Sequence, residues 1–284
     1  AVRGSRHIAR HAQLISAERP QNSVAAFKRA RALGATAYEL DVHLLRDVQL
    51  AVHHDYSLLA TTGRDTLLGT LTQADLAQYP LINAFTAEKC TIPLLRDVLP
   101  VVRENLACLN IEIKNDGNYY PGIEKVLLTE LRAQAPDMLP KILFSSFDYQ
   151  TLVRLRALDK SVRIGRLCRA FDVQEALALG ARSVHMNQSR LTPEIINACH
   201  AHGLQVFAYT VNTQEDAARL AALGADGIFT DKIGFFLSTC IMASTSPVSC
   251  GSKAEVGSSN SSTFGSRISA RAMATRCCCP PESR

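Results

Sequence analysis

Two hydrophobic rhythms alternate along the chain: short runs of period two, which predict strands, and runs with apolar positions three and four apart, which predict helices. In Tyr38-Glu39-Leu40-Asp41-Val42-His43, alternation puts Glu39 and Asp41 on one face and Tyr38, Leu40 and Val42 on the other. Asn110-Ile111-Glu112-Ile113-Lys114 repeats the arrangement, with Asn110, Glu112 and Lys114 sharing a face. His7-Ile8-Ala9 is a short strand candidate just ahead of Arg10 and His11. A helix is expected over residues 23–33, with Asn22 or Ser23 as N-cap and Gly34 as its stop. Residues 45–49 turn the chain into a hairpin partner over 50–55. Periodicity weakens over residues 56–93, which read as an insertion with one short helix near 73–78. An amphipathic helix follows over 94–106, with Pro100 as a candidate break.

Beyond the Glu112 strand the alternation of helix and strand becomes regular. Helices are expected at 121–134, 149–158, 173–179, 192–202 and 213–223, and strands at 142–147, 162–167, 183–187, 205–211 and 227–231. Leaving out the hairpin partner, this gives eight strands counted from residue 8. An internal repeat supports the count. Residues 32–41, 178–187 and 222–231 each run from a helix end through Leu-Gly-Ala into a strand. Glu39, His185 and Phe229 fall in register, as do Asp41, Asn187 and Asp231. Such a repeat is what a TIM-type (β/α)8 barrel gives. An open doubly wound sheet shares the alternation, but no glycine-rich dinucleotide loop is present.

Composition then sets limits. Residues 1–237 form the expected barrel domain, with 56–93 as its insertion, and 238–284 a Ser/Gly/Cys-rich tail expected to be disordered. The net charge is +5, and the tail, with five Lys/Arg against two Glu, carries three of those charges. A nearly neutral barrel argues against nucleic acid as a partner. No apolar run is long enough for a membrane span. Five of nine cysteines lie in the tail; Cys90, Cys108, Cys168 and Cys199 show no Cys-x-x-Cys spacing and suit a reducing compartment. With no charged-then-apolar leader at the start, a cytoplasmic location is expected.

The chemistry concentrates at strand ends, where barrels carry their sites. Glu39, Asp41 and Glu112 are three oxygen donors of the kind that hold Mg²⁺ or Ca²⁺. The bland alternative pairs these carboxylates with a basic residue such as Lys114. Lys114 itself suits either an ion pair or a phosphoryl oxygen. His54 suits acid/base work, while its neighbour His53 faces the other way and suits packing or the surface. On spacing, His11 and His7 compete for the place of a second histidine.

Glu39-Leu40-Asp41, His54-Asp55 and Glu112-Ile113-Lys114 together resemble the motif set of the glycerophosphodiester phosphodiesterase family. So do Pro20-Gln21-Asn22-Ser23, Ser145-Ser146-Phe147, Tyr209-Thr210-Val211-Asn212 and the stretch from Gly224 to Asp231. The resemblance covers roughly residues 8–235. It implies a TIM-type barrel, a divalent cation (Mg²⁺ or Ca²⁺), and hydrolysis of a small glycerophosphodiester to sn-glycerol 3-phosphate and an alcohol. Carried over by position, Glu39, Asp41 and Glu112 become metal ligands and His11 and His54 the catalytic histidines. Lys114, Arg10 and His185 become substrate contacts. The departures are Arg10-His11-Ala12 where the family has His-Arg-Gly, a slightly longer spacing to Pro20, Gln21 for a glutamate, Ala60 for an arginine, and Val48 for a glycine in the hairpin turn. They leave two further readings, a catalytically impaired phosphodiester-binding barrel and a lysophospholipid phosphodiesterase of the phospholipase-D-like kind.

Overall fold

The computed structural model of the chain describes residues 19–83, 87 and 89–232. Helix α1 (Val24–Ala32) begins where the Ser23 hydroxyl accepts from the Ala26 amide, a cap worth about 1 kcal/mol. Strands β1 (Ala37–Leu44) and β2 (Leu50–Val52) form the expected antiparallel hairpin. The insertion holds more structure than one helix. It comprises α2 (Leu59–Thr62), a 3-10 segment at Gln73–Gln78, and a small hairpin of β3 (Leu81–Ile82) and β4 (Lys89–Cys90). Leu58, Leu68, Leu76, Leu81 and Ile92 form a hydrophobic cluster together with Leu45, Ala51 and Leu94, which ties the insertion to the β1–β2 hairpin. Helix α3 (Leu95–Arg103) runs through Pro100 without breaking. Buried Leu95, Val98, Leu99, Val101 and Val102 hold it against the sheet, and that burial outweighs the hydrogen bond proline removes.

The remaining chain alternates as predicted: β5 (Cys108–Ile113), α4 (Ile123–Gln134), β6 (Ile142–Ser146), α5 (Tyr149–Leu158), β7 (Arg163–Cys168), α6 (Val173–Ala178), β8 (Ser183–Asn187), α7 (Pro193–Ala201), β9 (Gln205–Tyr209), α8 (Gln214–Leu223) and β10 (Gly227–Ile228). One sheet takes them in the order β10-β9-β8-β7-β6-β5-β1-β2, parallel throughout except for β2. The sheet curls. Asp231, just past β10 at one end, lies close enough to act electrostatically on Glu39 of β1 near the other. The architecture is a TIM-type barrel. The strand expected at 7–9 and the tail at 238–284 lie outside the described residues.

Strand β10 is shorter than the expected 227–231 because the chain leaves the ladder for Asn212. The Asn212 carboxamide accepts from the Asp231 amide at 2.8 Å, and the Val211 amide donates to Phe229 O at 2.8 Å. Outward-facing Tyr38, Leu40, Ile111, Phe144 and Ile164 pack under the helices as the main core. Inside the barrel, Leu143, Phe207 and Phe229 form a smaller cluster. Gly165 makes room there, since a Cβ at that position would stand 2.5 Å from the His185 ring. Among the described residues no helix is long and apolar enough to cross a membrane.

Candidate functional site

Parallel register brings the acidic residues together. Glu39 pairs with Asn110 and Asp41 with Glu112, so the inward faces of β1 and β5 present their polar side chains side by side. Oxygens of Glu39, Asp41 and Glu112 lie within 4.8 Å of one another, and all three residues are buried. Lys114 follows on the same face, with Nζ 2.9 Å from Asp41 Oδ1 and 2.6 Å from Glu112 Oε1. Asn22, in the left-handed region at φ 52°, donates from Nδ2 to Asp41 Oδ2 at 3.1 Å. Asparagine tolerates that backbone conformation better than most residues.

The electrostatics follow from three carboxylates around one ammonium. Burial, then the neighbouring Asp41, holds Glu39 well above the ordinary carboxylate range. Burial pushes Glu112 up to about 7 against the pull of Lys114, with Asp41 and Glu39 adding to the rise. Burial alone would discharge Lys114, but Asp41 and Glu112 outweigh it and hold the ammonium protonated above the usual lysine range. A buried set of hard oxygen donors whose ionisation is opposed by burial and mutual repulsion fits a divalent cation, whose charge would favour the ionised forms.

His54 sits half-exposed at the rim, its Nδ1 2.6 Å from Asp55 Oδ1. An ionised carboxylate only accepts, so Nδ1 carries the proton and Nε2 is left for proton exchange. His53 is buried on the other side, bonded to Asp55 O at 2.7 Å and Thr61 Oγ1 at 2.8 Å, which is the packing role expected of it. His43 is one the strand pattern passes over. It continues the Glu39–Asp41 face and is buried, with Nδ1 3.0 Å from the Tyr120 hydroxyl and Nε2 3.3 Å from His54 O. A carbonyl only accepts, so Nε2 carries the proton and the His43 ring fixes the backbone of His54.

Of these groups Glu39, Glu112, Lys114 and His54 line a cavity of about 320 Å³. Glu39, Asn110, Glu112 and Lys114 line one side, His185 and Phe229 another, and Phe147, Asn187, Tyr209 and Thr210 the part nearest β8 and β9. His185 is fully buried, with Nε2 2.8 Å from Ser183 Oγ and its ring stacked on Phe207 at 5.1 Å. Asn110 Oδ1 and His185 Nδ1 have no hydrogen-bond partner among the described residues. The structure therefore brings together Glu39, Asp41, Glu112, Lys114, His54 and His185. Arg10 and His11 lie outside the described residues. Sequence reasoning gave His43 no role. It singled out Asn22, Phe147, Tyr209 and Thr210 within motif stretches and Asn187 at a strand end, without assigning any of them to the site.

Fold and cavity define a TIM-type barrel with an enzyme-like site at the carboxyl ends of its strands. Comparison with known proteins makes this specific. Residues 15–235 match the sequence profile of the glycerophosphoryl diester phosphodiesterase family. A glycerophosphodiester phosphodiesterase from Caldanaerobacter subterraneus is 32% identical over 219 residues, covering 75% of this chain and 88% of the relative. One from Bacillus altitudinis is 34% identical over 221 residues, covering 75% and 89%. Among solved structures, an Oleispira antarctica phosphodiesterase in complex with the product sn-glycerol-3-phosphate superposes with a TM-score of 0.73 at 26% identity. That match covers 83% of this chain and 96% of the other. The chain belongs to the glycerophosphoryl diester phosphodiesterase family.

Proposed function

We propose that the barrel hydrolyses small glycerophosphodiesters to sn-glycerol 3-phosphate and an alcohol, at a divalent cation held by Glu39, Asp41 and Glu112. Family membership makes the chain a phosphodiesterase. The observation that carries the finer reading is the buried trio of carboxylates with Lys114, of which Glu39, Glu112 and Lys114 line one polar cavity with His54 at its rim. When bound, a cation such as Mg²⁺ or Ca²⁺ would draw electron density from a phosphoryl oxygen. Lys114, kept charged by two carboxylates, offsets negative charge developing on the phosphoryl group. Hydrolysis breaks the bond from phosphorus to the departing alcohol and forms one to the attacking oxygen. One proton leaves the attacking oxygen and one reaches the departing oxygen. His54, oriented through Nδ1 by Asp55, exchanges one of these protons through Nε2. His11 is the proposed second acid/base group and Arg10 an additional phosphate contact. The open acceptor Asn110 Oδ1 and the unpartnered His185 Nδ1, which donates or accepts according to its tautomer, suit the hydroxyls of a glycerol arm, which supports His185 as a substrate contact.

The cavity also favours a small substrate over a lysophospholipid. Its lining is largely polar, and residues 56–93 contribute nothing to it among the described residues. The test is release of glycerol 3-phosphate from glycerophosphocholine with and without Mg²⁺ or Ca²⁺. Turnover should require the cation and should fall about 10³-fold in His54→Ala, the scale of a lost general acid/base. Cation-independent turnover, or full activity in His54→Ala, would refute this reading. Inactivity of the intact protein would shift support to the impaired-barrel reading that the Arg10-His11 order leaves open.

A further inference from the structure

Next to the aromatic wall of the cavity stand two arginines, Arg169 and Arg190, which do not themselves line it. Phe147 and Tyr209 both line the cavity and meet edge to face, with ring centroids 6.1 Å apart. The Arg169 guanidinium lies over the Phe147 ring, 4.5 Å from its centroid. A cation–π contact at that distance fixes a long side chain that would otherwise be free in solvent. Arg190 donates to the Arg169 backbone carbonyl, which brings the second guanidinium alongside. Neither arginine pairs with a carboxylate among the described residues. Arg166 close by is different, for its charge is met by Glu175 at 2.7 Å. Both guanidiniums act electrostatically on the cavity wall. Burial pushes the Tyr209 phenol up to about 12, with Cys168 and Glu112 adding, while Arg169 and Arg190 pull the other way.

The cavity has two ends. At β1 and β5 stand the carboxylates and Lys114, and at β6 to β9 stand Phe147, Asn187, Tyr209 and Thr210. The proposed reaction assigns the phosphate to the carboxylate end and the glycerol arm to Asn110 and His185. A departing alcohol that runs on toward β6 and β9 meets Phe147 and Tyr209.

Resting on that reading, we infer that Arg169 and Arg190 form a subsite for the departing alcohol that selects anionic groups, those carrying a phosphate or carboxylate of their own, over cationic ones. Phe147 and Tyr209 give the alcohol an aromatic wall, and the two guanidiniums meet its charge beyond that wall. Arginine suits the task because its planar fork matches phosphate and carboxylate oxygens in pairs. Both arginines are exposed, so the preference is moderate and salt-sensitive.

The test compares kcat/KM for three glycerophosphodiesters under matched cation conditions. Their departing groups are choline (cationic), glycerol (neutral) and glycerophosphoglycerol (anionic). The order expected is anionic, neutral, cationic, with about tenfold between the first two at low ionic strength, shrinking to about twofold at 0.5 M salt. In the double variant Arg169→Gln/Arg190→Gln the ratio between substrates should flatten, whatever the absolute rates. Equal kcat/KM across the three, a preference for choline, or a preference that survives the double variant would overturn the subsite. Equilibrium binding of the same diesters to His54→Ala protein keeps this separate from the hydrolysis reading. A charge preference in binding without turnover retains the subsite and rejects the activity. Turnover without any charge preference does the reverse.

Discussion

At the scale of single residues, the site is built from groups whose charge state is decided by burial. His185 is the clearest case. It lies inside the barrel against Phe207 and Phe229, and burial drives its pKa down to about 3. The folded value is thus below the unfolded one near 6.5, so between those limits the unfolded chain binds the extra proton. Stability is therefore full above about pH 6.5 and falls as the pH drops, at up to about 1.4 kcal/mol per pH unit for this one side chain. Replacing His185 by glutamine should make the melting temperature less sensitive to pH between about 6.5 and 4.5. An unchanged slope in His185→Gln would show that His185 is not what the acid side of the stability profile reports. Gly165 belongs to the same unit, because only a residue without a side chain leaves the His185 ring its place.

At the scale of elements, what was legible in the sequence is what repeats with a fixed period. The strand 183–187 and the helix 149–158 fall where alternation and amphipathic spacing put them, and Glu39, Asp41 and Glu112 share a face because strand geometry requires it. The face of β1 also carried His43, but its role depends on Tyr120, 77 positions further on, and no local pattern reports such a bond. The Asn22–Asp41 bond, across 19 positions, was hidden in the same way. Pro100 misled for the opposite reason, since a local helix breaker is overruled when the surrounding helix face is buried. The hairpin between β1 and β2 keeps one locally unfavourable choice in view. Val48 turns the chain at φ 62° with its side chain 55% exposed, so it bears the cost of a left-handed β-branched residue without gaining burial. Val48→Gly should raise the stability by about 1 kcal/mol, the left-handed penalty less the extra chain entropy of glycine. A urea midpoint that moves upward with an unchanged slope checks this, and a downward move would mean Val48 is held by packing after all.

At the scale of the whole molecule, the barrel concentrates negative charge where its sheet closes. Glu39, Asp41 and Glu112 face one lysine, and Asp231 arrives from the far end of the sheet to add its field to Glu39. Folding without a cation must assemble these carboxylates in a buried setting, and burial and mutual repulsion both oppose their ionisation. A cation that binds the folded barrel and not the unfolded chain should therefore stabilise the entire fold, by about 2.7 kcal/mol at a hundred times its dissociation constant. The expected observation is a melting temperature that rises with Mg²⁺ or Ca²⁺ and returns on chelation. Glu112→Gln removes one donor and one negative charge together. The cation-free variant should then melt no lower than the cation-free parent, while its response to the cation collapses. Those two effects point in opposite directions, which separates ion binding from general fragility: a damaged core would lower the baseline and leave the response. Monovalent salt at matched ionic strength supplies the remaining control, because screening of surface charge would reproduce the shift with sodium and a coordinated dication would not.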